Sequence, residues 1–301
     1  MDLKDKMLFA GVNIGRRYRT SEKELFLSQV IEMAKKQGWS HQFQTKHSRF
    51  LKICNLVIGD LNKADTVVVC AYDTPQKAAY SGFKYYPFNP SFNAKEETKN
   101  LALQLIGAML CFSVVLMQLK IFFSYSGYLK ALALAGIVVF AFNGYKWLRP
   151  SGNQMNFSRN SAAVASILKL METVKNRKTA FVFLDQNCAS YEGAKLLKEH
   201  LHAHQLVLIL DNLASGEKTV VAHKNTTDPG SLVKEGWIDK EYDDTANMLA
   251  IFNRSIMISC GSIQNKQFVV KNTGTKKDVE VNMERLVQIT EAIKEKLEET
   301  K

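Results

Sequence analysis

The 301-residue chain lacks the cysteine spacings of a zinc finger or a disulfide framework. Its five cysteines, Cys54, Cys70, Cys111, Cys188 and Cys260, are scattered and odd in number, which points to free thiols and a reducing compartment. The first residues contain no apolar run followed by a small-residue cleavage site, so nothing there reads as an export signal. An RNA-binding signature, basic-aromatic alternation, internal repeats and low-complexity tracts are missing as well. Nucleic acid is therefore not the expected partner, although the formal charge is +11. Each basic side chain near an anionic lipid surface gains about 1 kcal/mol, and a membrane accounts for the excess more simply. The last absence is local: residues 101–145 carry no charge apart from Lys120 and Lys130.

What is present is globular in composition, with 46% hydrophobic residues, enough for a sizeable core. Ser21 and Glu24 have the spacing of a capping box, opening a helix that places Phe26, Val30, Met33 and Ala34 on one face and stops at Gly38. Residues 56–58 are a short apolar run, Gly59-Asp60 through Lys63-Ala64 turns the chain, and residues 66–70 are β-branched enough for a buried strand. That strand ends at Ala71-Tyr72-Asp73-Thr74-Pro75. Beyond a polar linker at 150–154, Ala163, Ile167, Leu170, Met171 and Val174 trace a second helical face. A strand at 180–184, a helix through Ala194, Leu197 and Leu201, and a strand at 206–210 follow. Residues 255–259 and 268–270 are further strands, Met283, Leu286, Ile293 and Leu297 mark a closing helix, and 296–301 form a solvated tail. Alternating strands and helices predict an α/β fold with a largely parallel sheet covered on both faces.

Residues 101–119 and 131–145 are uncharged, with Lys95, Lys99, Lys146 and Arg149 at their base. About 20 apolar residues span a bilayer, and the second run reaches that length when its flanking side chains snorkel. Two spans return the chain to the side it left. The base carries more Lys and Arg than the tip at 121–128, so the positive-inside rule puts the folded domain in the cytoplasm. The competing readings are an interfacial re-entrant hairpin and a pair of buried helices forming a lid or dimer interface. The predicted organisation is a first part of one domain at 1–99, a transmembrane hairpin at 100–149, and the second part of the same domain at 150–301.

Six segments, in this order, carry a family resemblance. They are Gly15-Arg16-Arg17 to Gly38, Val67-Val68-Val69-Cys70-Ala71-Tyr72-Asp73-Thr74, Ser158-Arg159-Asn160-Ser161-Ala162-Ala163-Val164-Ala165, Phe183-Leu184-Asp185-Gln186-Asn187-Cys188, the strand ending Leu210-Asp211, and Val281-Asn282-Met283-Glu284-Arg285-Leu286. Together they resemble the co-catalytic di-zinc aminopeptidase family, whose relatives are the glutaminyl cyclases and the transferrin receptor ectodomain. The resemblance implies a three-layer α/β sandwich with a mostly parallel, mixed central sheet, here interrupted by the hydrophobic helical hairpin.

In that family the turn after the first buried strand reads His-Tyr-Asp-Ser/Thr. Here Ala71 stands at the zinc-binding His and Asp73 is kept as its orienting carboxylate. The metal-bridging Asp aligns with Ser158, the Glu-Glu pair that supplies base and ligand aligns with Asn187 and Cys188, and the last His falls near Asn272. The strand-end ligand survives as Asp211. Hydrolysis by that route needs two divalent ions to acidify a bridging water, with a carboxylate moving the proton. A zinc needs three or four donors from His, Cys, Asp and Glu. Asp211 is one, Cys188 is the second candidate, and Asn187 is no base. The resemblance with these departures implies no catalytic residue and no metal cofactor. It leaves a relic pocket of Asp73, Ser158, Asn187, Cys188 and Asp211 that would hold a peptide or a membrane-protein partner. The alternative is an active membrane-bound metallo-aminopeptidase or related hydrolase with one zinc on Asp73, Cys188, Asp211 and a histidine from elsewhere. A third reading is a membrane-assembly factor whose hairpin makes the contacts.

The remaining candidates have plainer explanations. The i, i+2, i+4 spacing of His200, His202 and His204 turns the middle ring away on a helix, so a solvated helix end is expected. Cys188 as a nucleophile has no histidine aligned beside it, and a buried inert thiol is the expectation. Asp73 and Asp211 end strands, where open α/β sheets bind ligands, and Asn160 reads as a helix N-cap.

Overall fold

The structure, a computed structural model, describes residues 2–47, 52–124, 126–149, 151–188, 190–242 and 247–299. Tyr125 of the hairpin tip, Pro150 of the linker, and Thr300 and Lys301 of the tail lie outside the described residues. The chain opens with α1 (Leu3–Leu8), a π turn (Phe9–Asn13) and α2 (Thr20–Lys36), then β1 (His41–His47), β2 (Lys52–Ile58), β3 (Thr66–Ala71) and β4 (Lys84–Tyr85). Two long helices follow, α3 (Pro90–Ser124) and α4 (Tyr128–Leu148). A second π turn (Phe157–Ser161) leads into α5 (Ala162–Thr173), β5 (Thr179–Leu184), α6 (Glu192–Lys198), β6 (Leu206–Asp211) and β7 (Lys218–His223). The chain finishes with β8 (Ile238–Glu241), α7 (Met248–Ile251), β9 (Arg254–Gln264), β10 (Gln267–Lys271) and α8 (Met283–Glu299).

The strands form one mixed sheet in the order β1-β2-β5-β3-β6-β9-β10-β4, with β7 on β9 and β8 on β7. At its centre β5, β3, β6 and β9 run parallel, with Val68 beside both Phe181 and Leu208. Antiparallel β2 and β1 extend one edge, and β10 folds back on the end of β9. Side chains alternate across the sheet with period two. Val68, Cys70, Phe181, Phe183, Leu208 and Leu210 pack under α1, α2, α5 and α8. Val67, Val69, Val182, Leu184, Val207 and Ile209 pack under α6 and α7. Burial on both faces is why these strands are unbroken apolar runs rather than alternating ones.

Strand β3 precedes the hairpin and β5 follows it, so both halves of the chain build one sheet. The chain leaves and returns at adjacent points: Gln76 bridges Gly152, and the Lys77 amide donates to the Ser151 carbonyl at 2.8 Å. With its ends already paired, the insertion adds little loop-closure cost to the rest of the fold.

Helices α3 and α4 are long and apolar enough to cross a membrane, and few side chains of their apolar stretches are buried within the chain. Leu116, Met117, Phe123 and Val138 are among those exposed. Small residues let the two helices approach. A Cβ at Gly107 would lie 2.8 Å from the Trp147 ring, and one at Gly144 would lie 3.0 Å from Phe112. The helix begins at Pro90, well before the uncharged run, because its first turns belong to the domain: Asn93 accepts the Tyr86 amide and Asn100 accepts the Ala79 amide.

The start of α2 differs from the expected Ser21–Glu24 box. Glu22 is the cap: its carboxylate accepts the Tyr18 and Arg19 amides at 3.1 and 3.0 Å and pairs with Arg16. The predicted face holds, with Phe26, Val30 and Ala34 buried and Gly38 leaving the helix at φ +70°.

Candidate functional site

The C-terminal ends of β3, β5 and β6 meet along one edge of the sheet; the loops leaving β3 and β5 carry Asp73, Asn187 and Cys188, and Asp211 is the last residue of β6. The turn after β3 is set by Arg17, which is fully buried. Its guanidinium donates to the carbonyls of Tyr72, Ala10 and Ile14 at 2.5 to 2.6 Å, and its backbone pairs with Thr74. Burial lowers its pKa to about 10, with nearby Cys70, Cys188 and Asp73 acting in the other direction.

Asp73 is buried and its carboxylate is already engaged. One oxygen accepts the Asn187 amide at 3.1 Å and the other accepts the Cys188 amide at 3.2 Å. Burial raises its pKa, and Lys23 opposes the rise. Lys23 is itself paired with Asp185 at 2.5 Å, and Asp185 also accepts the Cys54 amide. The Cys188 thiol donates to the Asp73 carbonyl at 3.1 Å and sits 3.3 Å from the Asn160 amide nitrogen. Burial, with the adjacent Asp73 charge, pushes this thiol up to about 12. It is a protonated thiol at neutral pH, and thiolate chemistry needs the opposite shift.

Asp211 is ion-paired with Arg159, both nearly buried. The guanidinium lies 3.7 Å above the Tyr85 ring, so a delocalised cation is held between a carboxylate and an aromatic face. Burial works against this charge, but Asp211 and Tyr85 hold the Arg159 pKa well above its ordinary value. The second Asp211 oxygen has no hydrogen-bond partner among the described residues.

Ser158 faces elsewhere. Its amide donates to Asp278 at 2.9 Å and its hydroxyl donates to the same oxygen. Asp278, from the loop after β10, thus closes the start of the π turn that runs into α5. The expected N-cap role of Asn160 falls to this carboxylate, because Asn160 lies inside the turn and donates to the Asp73 carbonyl. Asn187 accepts the Ala194 amide at 3.3 Å, and Asn272 follows β10 in the left-handed region at φ 62°.

Four of these groups, Asp73, Tyr85, Arg159 and Cys188, border a cleft of about 540 Å³. They line its sheet side, and Glu97 and Gln104 of α3 line the other. Behind Tyr85 and Arg159 a gap of about 10 Å³ touches Asn187 and Asp211, room for at most one water. Of the five residues expected to form the pocket, Asp73 and Cys188 border the cleft, Asn187 and Asp211 border the gap, and Ser158 borders neither.

A zinc pair does not fit this donor set. Among the described residues no three of His, Cys, Asp and Glu gather as a metal-holding group. Asp211 is engaged by Arg159 and Asp73 by two backbone amides, and burial keeps the Cys188 thiol protonated. None of the described residues lining the cleft or gap is a histidine. His200, His202 and His204 follow α6 and precede β6, while Asp211 ends β6. At about 3.3 Å per residue a six-residue strand separates them by roughly 17 Å.

Asp278 supplies a pH-dependent prediction. Burial, partly offset by hydrogen bonds from Ser158 and Arg159, raises its pKa to about 6. An unfolded Asp titrates near 3.9, so the folded state holds this proton more tightly. Its contribution is complete below about pH 4 and is lost as pH rises through about 6, by about 3 kcal/mol. Asp278→Asn should remove that slope, measured as the stability difference between the two proteins from pH 4 to 8. Parallel curves would refute the assignment.

No protein-family model matches the chain, and no curated protein matches its sequence. Solved structures do. A glutaminyl cyclase of Porphyromonas gingivalis superposes with a TM-score of 0.58 at 12% identity, covering 99% of this chain and 96% of that one. A zinc aminopeptidase of Bacillus subtilis gives 0.57 at 8% identity, covering 99% and 94%. A leucine aminopeptidase precursor of Bacteroides thetaiotaomicron gives 0.55 at 12%, covering 99% and 95%. At these identities the likeness is one of fold: this chain has the α/β fold of the zinc aminopeptidases and glutaminyl cyclases.

Proposed function

We propose that the chain is a membrane-anchored, non-catalytic domain of aminopeptidase fold whose cleft binds a peptide or a segment of a membrane protein. The observation that carries this reading is the Arg159 guanidinium on Asp211, a protein cation at the strand end where the resemblance calls for a metal ligand. Asp73, spent on two amides, and the raised Cys188 thiol support it. What remains is a partly polar cleft with backbone turns along its rim, suited to recognition.

The anchor in this reading is the α3–α4 hairpin, with the folded domain on the cytoplasmic side. The exposed apolar helices and the cations Lys95, Lys99, Lys146 and Arg149 at their base support it. Glu97 and Gln104 of α3 form one wall of the cleft, so a bound segment would lie against the membrane anchor, which favours a membrane-protein partner.

The test is calorimetry of the full-length protein with zinc, cobalt and manganese, paired with assays of aminoacyl-anilide hydrolysis and of cyclisation of peptides beginning with glutamine. No tight binding of an ion pair and no turnover are expected. Two tightly bound ions with turnover would sink the proposal and favour the rebuilt-site hydrolase.

A further inference from the structure

A second hollow, of about 340 Å³, opens where the hairpin joins the domain. Lys77 reaches it from the strap beneath the helices, Lys146 and Arg149 from the last turn of α4 and the residue after it, and Gln104 and Asn143 from the facing helices, with Trp147 beside them. None of the described residues lining it is a carboxylate. Among the described residues none of the three cations forms an ion pair, whereas Lys6, Lys23 and Arg159 elsewhere in the chain do. Lys146 and Arg149 lie over the Phe142 and Tyr145 rings of their own helix, which steadies them without cancelling charge.

Neutral donors complete the site. Gln104 accepts from Gln76 through its oxygen at 3.3 Å, which leaves its amide nitrogen to donate. The position is distinctive: Gln104 sits in the first turn of the uncharged run of α3, and Asn143 and Trp147 in the last turns of α4. This is the depth at which an aromatic belt and lipid headgroups meet. Three uncompensated cations around a hollow with amide donors match a phosphoryl group, which carries negative charge and accepts several hydrogen bonds.

We infer that this hollow binds the phosphoryl headgroup of an anionic phospholipid. The inference rests on the reading of α3–α4 as a bilayer anchor. The same chemistry would accept free phosphate, but the hollow opens beside the exposed apolar surface of the hairpin, where the acyl chains of a lipid would continue from its headgroup.

The test uses full-length protein in detergent micelles and native mass spectrometry. Phosphatidylglycerol and phosphatidylcholine with identical chains are the probes, and inorganic phosphate is the soluble competitor. Preferential retention of phosphatidylglycerol is expected, falling about fivefold for each cation removed in the series Lys77→Gln, Lys146→Gln and Arg149→Gln. The Lys95→Gln/Lys99→Gln protein removes two charges at the hairpin base but outside the hollow, as many as Lys146→Gln/Arg149→Gln removes inside it, and should retain the lipid. The single variants carry the same test if the triple variant does not fold.

Equal retention of both lipids, no loss in the series, or equal loss in the Lys95/Lys99 control would overturn the site. Displacement of the lipid by phosphate at millimolar concentration would assign the hollow to a soluble anion and overturn the lipid. Carbonate extraction of membranes separates this inference from the reading beneath it. A chain released by carbonate defeats the anchor itself, whereas a resistant chain with no headgroup preference defeats only the site.

Discussion

Replacing Arg159 by methionine is expected to destabilise the protein by about 3–5 kcal/mol, because it strands the Asp211 carboxylate without its partner in a buried site. Asp211 is only 8% exposed, and one of its oxygens already lacks a partner among the described residues, so water offers little compensation. The stacked Tyr85 ring would lose its cation as well. Adding Asp211→Asn to the same chain should recover a good part of the loss, since the stranded charge is gone. Urea or thermal unfolding of the two single variants and the double variant closes the cycle. A loss below about 1 kcal/mol for Arg159→Met, or a double variant no better than that single one, would show that the pair is not what holds this edge of the sheet.

The centre of the fold was readable because the physics there is simple. Strands β3, β5 and β6 are covered on both faces, so each is an unbroken apolar run that needs no partner to be recognised. The hairpin was readable from missing charge alone. Strand β1, with the sequence His-Gln-Phe-Gln-Thr-Lys-His, was not: apart from Gln44 its residues are exposed or half-buried, and its extension comes from pairing His41 to Ile58 and onward along β2. The two-residue β4 and the four-residue β8 are too short to show a period. Helix α1 hides a buried Lys6, whose partner Glu172 lies on α5 and whose burial no local pattern announces.

The site divides along the same line. That Asp73 and Asp211 stand at strand ends followed from the strand pattern, since the residue after a buried run is placed by it. What they bind did not follow. Arg159 belongs to the quoted segment, next to Ser158, yet its partner lies 52 residues on and its aromatic platform lies on the other side of the hairpin. Asn160 has the residue type and position of an N-cap, but the wide π turn carries it inward and Asp278 arrives from a loop more than a hundred residues later. The one internal hint was compositional: an arginine among small and apolar residues at the head of α5 must find an anion or an aromatic face if it is buried.

Arg17 should prove the other costly position. Its guanidinium serves three carbonyls, those of Ala10, Ile14 and Tyr72, and reaches the Ser161 hydroxyl at 3.4 Å. Arg17→Met would fill much of the volume but take this donor from the Tyr72 and Ile14 carbonyls in a buried place, while the Ala10 carbonyl keeps only the Ser161 hydroxyl. Each such group costs about 1–3 kcal/mol, and relaxation recovers only part, so a loss of about 3–5 kcal/mol is expected. Lysine should rescue little, because one ammonium on a flexible stem cannot reproduce a planar fork that reaches three separate carbonyls. The effect should extend to the cleft. Arg17 joins the first π turn to the turn that carries Asp73, so hydrogen exchange at the Asn187 and Cys188 amides, both held by Asp73, should quicken more than at Val68 in β3. Uniform quickening would mean that Arg17 serves global stability alone; unchanged exchange at those two amides would mean that the cleft is ordered without it.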